Sequence, residues 1–330
     1  MDFQDNKPIH DPAPLSKEMD QVLLKMRQSN RPPFHLLTPE QARALYAKGA
    51  DILEPHPPQM RTEEAYELPS FDGEKIGIRI FYPHSTQNHR SENDLNLQGG
   101  LIYFHGGGFT IGSVQTHSAL CKELAHGAQT IVISVEYRLA PEFKFPTAHL
   151  DSWSACEWIF NNAIKLNINS SKIFLGGDSA GGTLSLFCAQ QAFLMGYKLR
   201  GQVLFYPGCS PAQDMKSHHY YSLGYLLESQ TIEYFYGQYL KDIKDRFDWR
   251  FSALNSPHLQ SIIPTWIGLA QCDPLRDEGV ALYSSMQALG CSVELKVYEG
   301  VVHGFIKMGR LIPQATQSQQ DACKFIKALS

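Results

Sequence analysis

The chain has no uninterrupted apolar run long enough to cross a bilayer. Its most apolar late segment, IIPTWIGLAQC, is short and carries a proline. A basic stripe is missing too. The 29 Lys and Arg stand against 33 Asp and Glu, a formal net charge of -4, which argues against nucleic acid or an acidic membrane surface as partner. There is no HExxH, no clustered Cys/His set and no P-loop, so neither a metal nor a nucleotide cofactor is expected. The 7 cysteines (121, 156, 188, 209, 272, 291, 323) contain no CxxC pair and are odd in number. Several stand in apolar strand or helix contexts, the pattern of buried thiols in a reducing compartment. The start, MDFQDNKPIHDPAPL, is acidic, broken by proline and without the apolar centre of a signal peptide. Together these absences predict a soluble, cytoplasmic protein that works without cofactor, nucleic acid or membrane.

What is present predicts one large α/β unit, for which 330 residues and a hydrophobic fraction of 43% are ample. From about Tyr66 onward, IGIRIFYP, LIYFH, IVISVEY, KIFLGG, QVLFYPG, TWIGLAQ and VELKVYEG read as strands. Helical stretches alternate with the later ones: HSALCKELAHGA, LDSWSACEWIFNNA, the segment after Ser179, GVALYSSMQALG, and Asp321 to Leu329. That alternation implies a mainly parallel central sheet flanked by helices. Residues 1–65 differ, holding two amphipathic helix candidates, SKEMDQVLLKMRQ and TPEQARALYAKGA, that cannot bury their apolar faces alone. An aromatic-rich insertion at about 209–245 interrupts the alternation after QVLFYPG, and with the N-terminal helices it is expected to form a helical cap. Residues 84–98 read as a polar loop.

The chemistry concentrates at strand ends. Gly177-Asp178-Ser179-Ala180-Gly181 matches G-x-S-x-G between a strand and a helix, where small neighbours let the backbone turn sharply and lift a serine hydroxyl clear. Upstream, His105-Gly106-Gly107-Gly108 ends the strand LIYFH. Bare glycine backbone there can aim N–H groups at a developing negative charge without obstruction. Among 13 histidines, His303 in YEGVVHGF follows the last strand and precedes the final helix, with a glycine beside it. His10, His56, His84 and His89 lie in tails or polar loops, and His105 and His117 suit structural hydrogen bonds. His218 and His219, in the insertion, could touch a ligand. Asp273 stands just past the penultimate strand, whereas Asp277 and Glu278 fall on a first helical turn where negative charge is favourable in itself. The order Ser, Asp, His favours Asp273 as orienter of the base.

HGGGF, YRLAPEFKFPTA, GGDSAGG, CDPLRDEG and VVHGF, in this order over residues 105–305, resemble the hormone-sensitive-lipase-like (GDXG) family of α/β-hydrolases. The chain looks most like its bacterial acetyl esterases, through IHDPAPLSKEMDQVL and YLKDIKDRFDWRFSAL. The resemblance implies catalytic Ser179, Asp273 and His303, an oxyanion hole from Gly106, Gly107 and Gly108 with Ala180, and hydrolysis of a small-molecule ester with a short acyl chain. Tyr137 to Pro146 belongs to the same family signature and reads as structural, with Arg138 and Glu142 able to pair and brace the loop. Members often dimerise through sheet edges or final helices, which leaves a homodimer open. Phe109, with Tyr220, Tyr221, Tyr225 and Phe235 of the insertion, is expected to shape the pocket. Two other readings use the same fold: a small-molecule receptor, as in the plant gibberellin receptors that resemble this family, and an amidase or lactonase using the same triad.

Overall fold

The computed structural model describes residues 12–84, 97–261 and 263–330. His10, His89 and most of the expected 84–98 loop lie outside them, as do the first 11 residues of the 1–65 segment. Strands β1 (Thr62–Pro69), β2 (Lys75–Tyr82), β3 (Gln98–Phe104), β4 (Ile131–Glu136), β5 (Ile168–Asp178), β6 (Gly201–Phe205), β7 (Thr265–Cys272) and β8 (Val293–Val302) form a single sheet in the order β1-β2-β4-β3-β5-β6-β7-β8. The pairs β1·β2 and β2·β4 are antiparallel and all other pairs are parallel. This is the mainly parallel, helix-flanked sheet expected from the alternation.

Strand periodicity divides the core. On β3, Leu101 and Tyr103 join one apolar cluster while Ile102 and Phe104 join the other, and on β5 Phe174 is separated in the same way from Ile173 and Leu175. The first cluster is covered by α3 (Ser118–Ala128), α8 (Arg276–Ala288) and α9 (Pro313–Leu329), the second by α4 (Thr147–Asn162) and α5 (Ala180–Leu194). Burial on both faces explains why β3 to β7 read as continuous apolar runs.

One strand escaped the sequence, and one helix begins earlier than expected. β1, TEEAYELP, is an edge strand with only Leu68 buried, and its glutamates protect the open edge while hiding the strand pattern. α9 begins at Pro313, eight residues before the expected Asp321, because Ala315, Ser318 and Gln319 turn a polar-looking stretch into a buried face. The N-terminal third forms α1 (Lys17–Gln28) and α2 (Pro39–Gly49), the latter with a capping box between Thr38 and Gln41. Between β6 and β7 the chain forms α6 (Lys216–Tyr220), α7 (Ser229–Tyr239) and short 3-10 turns. A third, small apolar cluster joins Ala42 of α2, Ile111 and Phe235 of α7.

The expected Arg138–Glu142 pair does not form. Arg138 turns to the buried Asp151 of α4, donating from its backbone N–H (3.0 Å), Nε (2.9 Å) and Nη2 (2.7 Å), and to Asp72 from Nη1 (2.8 Å). A planar guanidinium matches a buried carboxylate at both oxygens, a partner Glu142 at the surface cannot equal. Glu142 instead receives Arg43 of α2 at 2.6 Å. Removing Asp151 would leave Arg138, only 12% exposed, without its main counter-charge. Asp151→Ala is therefore expected to lower unfolding free energy by roughly 3 kcal/mol in urea titration. A change under about 0.5 kcal/mol, the usual size for a surface substitution, would show that the bridge does not organise this loop.

Candidate active site

Ser179 is the hinge between β5 and α5, with φ 53° and ψ -121°. A non-glycine residue in this region is strained by about 1–3 kcal/mol, so the surroundings must hold it. Its N–H donates to Phe205 O of β6 at 2.9 Å. The flanking glycines have no freedom to change: a Cβ on Gly181 would overlap the carbonyl of Phe104, and one on Gly177 would overlap the backbone of Gly181. The turn can close only because both side chains are absent.

His303 follows β8 directly, and Gly304 beside it takes φ 79°. The imidazole lies between the other two candidates. Nε2 is 2.9 Å from Ser179 Oγ, and Nδ1 is 2.7 Å from Asp273 Oδ2. Asp273 is fully buried just after β7, and its other oxygen accepts the Leu275 N–H at 2.8 Å. The Tyr206 ring packs on the imidazole, centroids 4.5 Å apart. Residues 124 positions apart in the chain are thus brought into one hydrogen-bonded line. Asp277 and Glu278 stay out of it. Asp277 accepts the Ser217 N–H, and Glu278 is buried against His218 Nε2 at 2.8 Å. His218, read from sequence as a ligand contact, is therefore a structural partner of Glu278. His105 and His117 are buried in hydrogen bonds of their own, to Gly106 O and Thr116 Oγ1.

The glycine loop is split in function. Gly107 (φ 125°) and Gly108 (φ 57°) border the same cavity as Ser179, Ala180 and His303. Their N–H groups have no partner among the described residues, and that of Ala180 is one of the orphan donors of a helix start. Gly106, expected among the donors, differs: its N–H goes to Asp178 Oδ1 at 3.0 Å, so it cannot serve a ligand. Asp178 is the residue that sequence reasoning passed over. Its buried carboxylate also accepts the Tyr103 hydroxyl at 2.8 Å and faces His117 Nε2 at 3.5 Å. Burial alone would raise this carboxyl, but His117, Tyr103 and Lys307 outweigh it and hold it at about 2. The available signal was an acidic residue at the buried end of an apolar strand, a placement that requires partners.

Above the site lies a cavity of about 490 Å³, largely apolar, bordered by Leu23 and Met26 of α1, Phe34, Ile232 and Phe235 of α7, and Met308. Phe109 borders it as well and stacks on Tyr239 at 4.1 Å. Tyr220, Tyr221 and Tyr225 do not. Tyr220 is 44% exposed, and Tyr221 is buried with its hydroxyl accepting the Ala13 N–H, its ring edge-on to Tyr225. Lys307, four residues after His303, lines the cavity yet is occupied: Nζ donates to Thr116 O at 2.6 Å and lies 3.3 Å from Glu54 Oε1. Burial pushes the Glu54 carboxyl up to about 7 against the pull of Lys307. Among the described residues no group of three or more His, Cys, Asp and Glu could hold a metal, and no helix is long and apolar enough to cross a membrane. A hydroxyl, an imidazole and a carboxylate in line beside free backbone donors can transfer a proton from oxygen and receive negative charge on a neighbouring one.

Comparison with known proteins agrees with this chemistry. The profile of a family described as having the alpha/beta hydrolase fold matches residues 101–307. The ethyl acetate hydrolase of Pseudomonas putida is 35% identical over 288 residues, 86% of this chain and 88% of that protein. Carboxylesterase NlhH of Mycobacterium tuberculosis is 34% identical over 79% of this chain and 80% of its own. Among solved structures, a hyperthermophilic esterase from the archaeon Pyrobaculum calidifontis superimposes with a TM-score of 0.88 at 30% identity, covering 96% of this chain and 98% of that one.

Asp178 supplies a pH-dependent expectation. A carboxyl depressed in the folded state adds stability above its unfolded value, near 3.8, and loses it as pH falls toward about 2. Asp178→Asn should therefore flatten the acid limb of a stability profile between about pH 4 and 2, where the unaltered protein loses roughly 2 kcal/mol from this group. Identical limbs in both proteins would show that the carboxylate is not held by these donors.

Proposed function

The chain belongs to the hormone-sensitive-lipase-like family of α/β-hydrolases, and we propose that it is a serine carboxylesterase acting on esters with short acyl chains. The observation that carries this reading is the line from Ser179 Oγ through His303 to Asp273, at 2.9 Å and 2.7 Å. Asp273 keeps the proton on His303 Nδ1, leaving the Nε2 lone pair toward Ser179. As Ser179 Oγ attacks the ester carbonyl, Nε2 takes its proton, and Asp273 stabilises the imidazolium. The carbonyl oxygen becomes an oxyanion and receives the N–H groups of Gly107, Gly108 and Ala180, each worth about 10²–10³ in turnover. The alcohol then leaves with the proton from His303, and water repeats the sequence on the acyl-serine.

One α/β-hydrolase domain carries the triad, and we assign segments 1–65 and 209–245 to a cap over it. Support for the cap comes from the cavity border, to which α1, the Phe34 turn and α7 all contribute. Support for a short acyl group is the relative named ethyl acetate hydrolase. The cavity volume of about 490 Å³ is far more than ethyl acetate needs and falls in the range of drug-sized ligands, so we assign the larger part to the alcohol. A reducing, cytoplasmic setting is supported by the cysteines, all free and, apart from the half-buried Cys291, buried.

Ser179→Ala should abolish turnover of nitrophenyl acetate while leaving the circular dichroism spectrum unchanged. In the unaltered enzyme, a nitrophenyl ester series should peak at short acyl chains. Retained turnover in the variant would point to another nucleophile, and a maximum at long chains would overturn the acyl assignment. His303→Ala should cut kcat about as deeply as Ser179→Ala, because the two act as a unit; a folded variant that keeps most of its rate would contradict a histidine base.

A further inference from the structure

Arg43 stands in none of the motifs that carry the reaction. It belongs to α2, outside the α/β core, yet its guanidinium reaches the loop that follows the triple glycine. Nε donates to Thr110 O at 2.9 Å and Nη2 to Ala140 O at 2.7 Å. Nη1 and Nη2 also grip the two oxygens of Glu142, at 3.0 Å and 2.6 Å. The ion pair itself is solvent-facing, with Glu142 53% exposed, and such pairs add little to stability. What is specific is which two carbonyls share one rigid fork.

Thr110 is the residue that orients the glycine loop. Gly107 O accepts the N–H of Thr110 at 3.1 Å and that of Ile111 at 2.9 Å. In a trans peptide the N–H of the next residue points opposite to that carbonyl, so these two bonds aim the Gly108 N–H. The Thr110 hydroxyl also donates to Gly108 O at 3.1 Å. Ala140, the other carbonyl on the fork, gives its N–H to Phe109 O at 2.8 Å. Arg43 thus closes a ring through Thr110, Phe109 and Ala140. The Phe235 ring also lies against Gly108, so closely that a Cβ there would overlap it. Resting on the oxyanion role of Gly108 given above, we propose that Arg43 is a positioning residue that fixes the direction of the Gly108 N–H, so that the cap contributes to transition-state binding and not only to pocket shape.

The test compares the unaltered enzyme with Arg43→Ala and Arg43→Lys, following nitrophenyl acetate kinetics and the Ki of an alkyl trifluoromethyl ketone. That probe takes the serine oxygen onto its carbonyl carbon, passes the serine proton to His303 and leaves its own oxygen as an oxyanion. Misdirecting one donor costs less than removing it, so Arg43→Ala should lower kcat roughly 10- to 100-fold with KM changed less than about threefold. Ki should rise by the same factor as kcat/KM falls. Lysine can reach one carbonyl but not both and should fall between, and added guanidinium at sub-denaturing concentration should restore the Ala variant in part. An unchanged Ki in folded Arg43→Ala overturns the inference, as does a loss confined to KM. If the ketone fails to bind even the unaltered enzyme, the esterase reading itself is at fault, a separate result.

Discussion

The carboxylate of Asp178 is where the two halves of the site are joined. It closes β5, immediately before the strained Ser179, and takes hydrogen bonds from Tyr103 of β3 and from Gly106 at the root of the glycine loop. A buried anion with fixed donors leaves little freedom to any of them, because losing one partner would leave charge unpaired in a poorly polarisable interior. The serine turn and the loop that faces it are therefore held at one separation. The glycines complete the constraint by letting Phe104, Gly177 and Gly181 approach backbone to backbone.

The proposed triad was legible because each member stands at the end of a strand with a strong apolar pattern. Ser179, Asp273 and His303 follow β5, β7 and β8, and in a parallel sheet those ends converge on one edge. Residues whose environment is set by tertiary contact were not legible. HGGG offers three similar glycines, and only the contact with Asp178 separates Gly106 from the other two. The tyrosines at 220, 221 and 225 share the aromatic character of Phe235, but nothing in a helical period tells which face an insertion turns toward a cavity. Arg138 had carboxylates at 72, 142 and 151 to choose from, and burial of Asp151 made the choice. β1 was hidden by the charges that suit an edge strand.

The elements outside the sheet do not form an independent core. Their shared cluster is small, Ala42 and Phe235 meeting Ile111 of the body. They also lean on the main clusters, through Met19, Val22 and Leu23 of α1 and through Tyr221, Tyr239 and Leu240, and their polar attachments land close to the site: Arg43 on the loop after the glycines, Glu54 on Lys307, and Ser16 on Gly300, whose φ of 68° leaves room for it. Coverage of the cavity and order at the edge that holds Ser179 and His303 are accordingly supplied in part by the same elements.

The Glu54–Lys307 pair limits how such a scaffold can change through evolution or engineering. An ammonium only 10% exposed, on the turn that follows His303, has a carboxylate partner in the N-terminal third. Grafting that third from another hydrolase, or trimming it away, would take a carboxylate from a buried ammonium four residues after His303 unless position 307 were altered in the same step. The leading segment and the closing turn are in this sense inherited together, although most of the chain separates them.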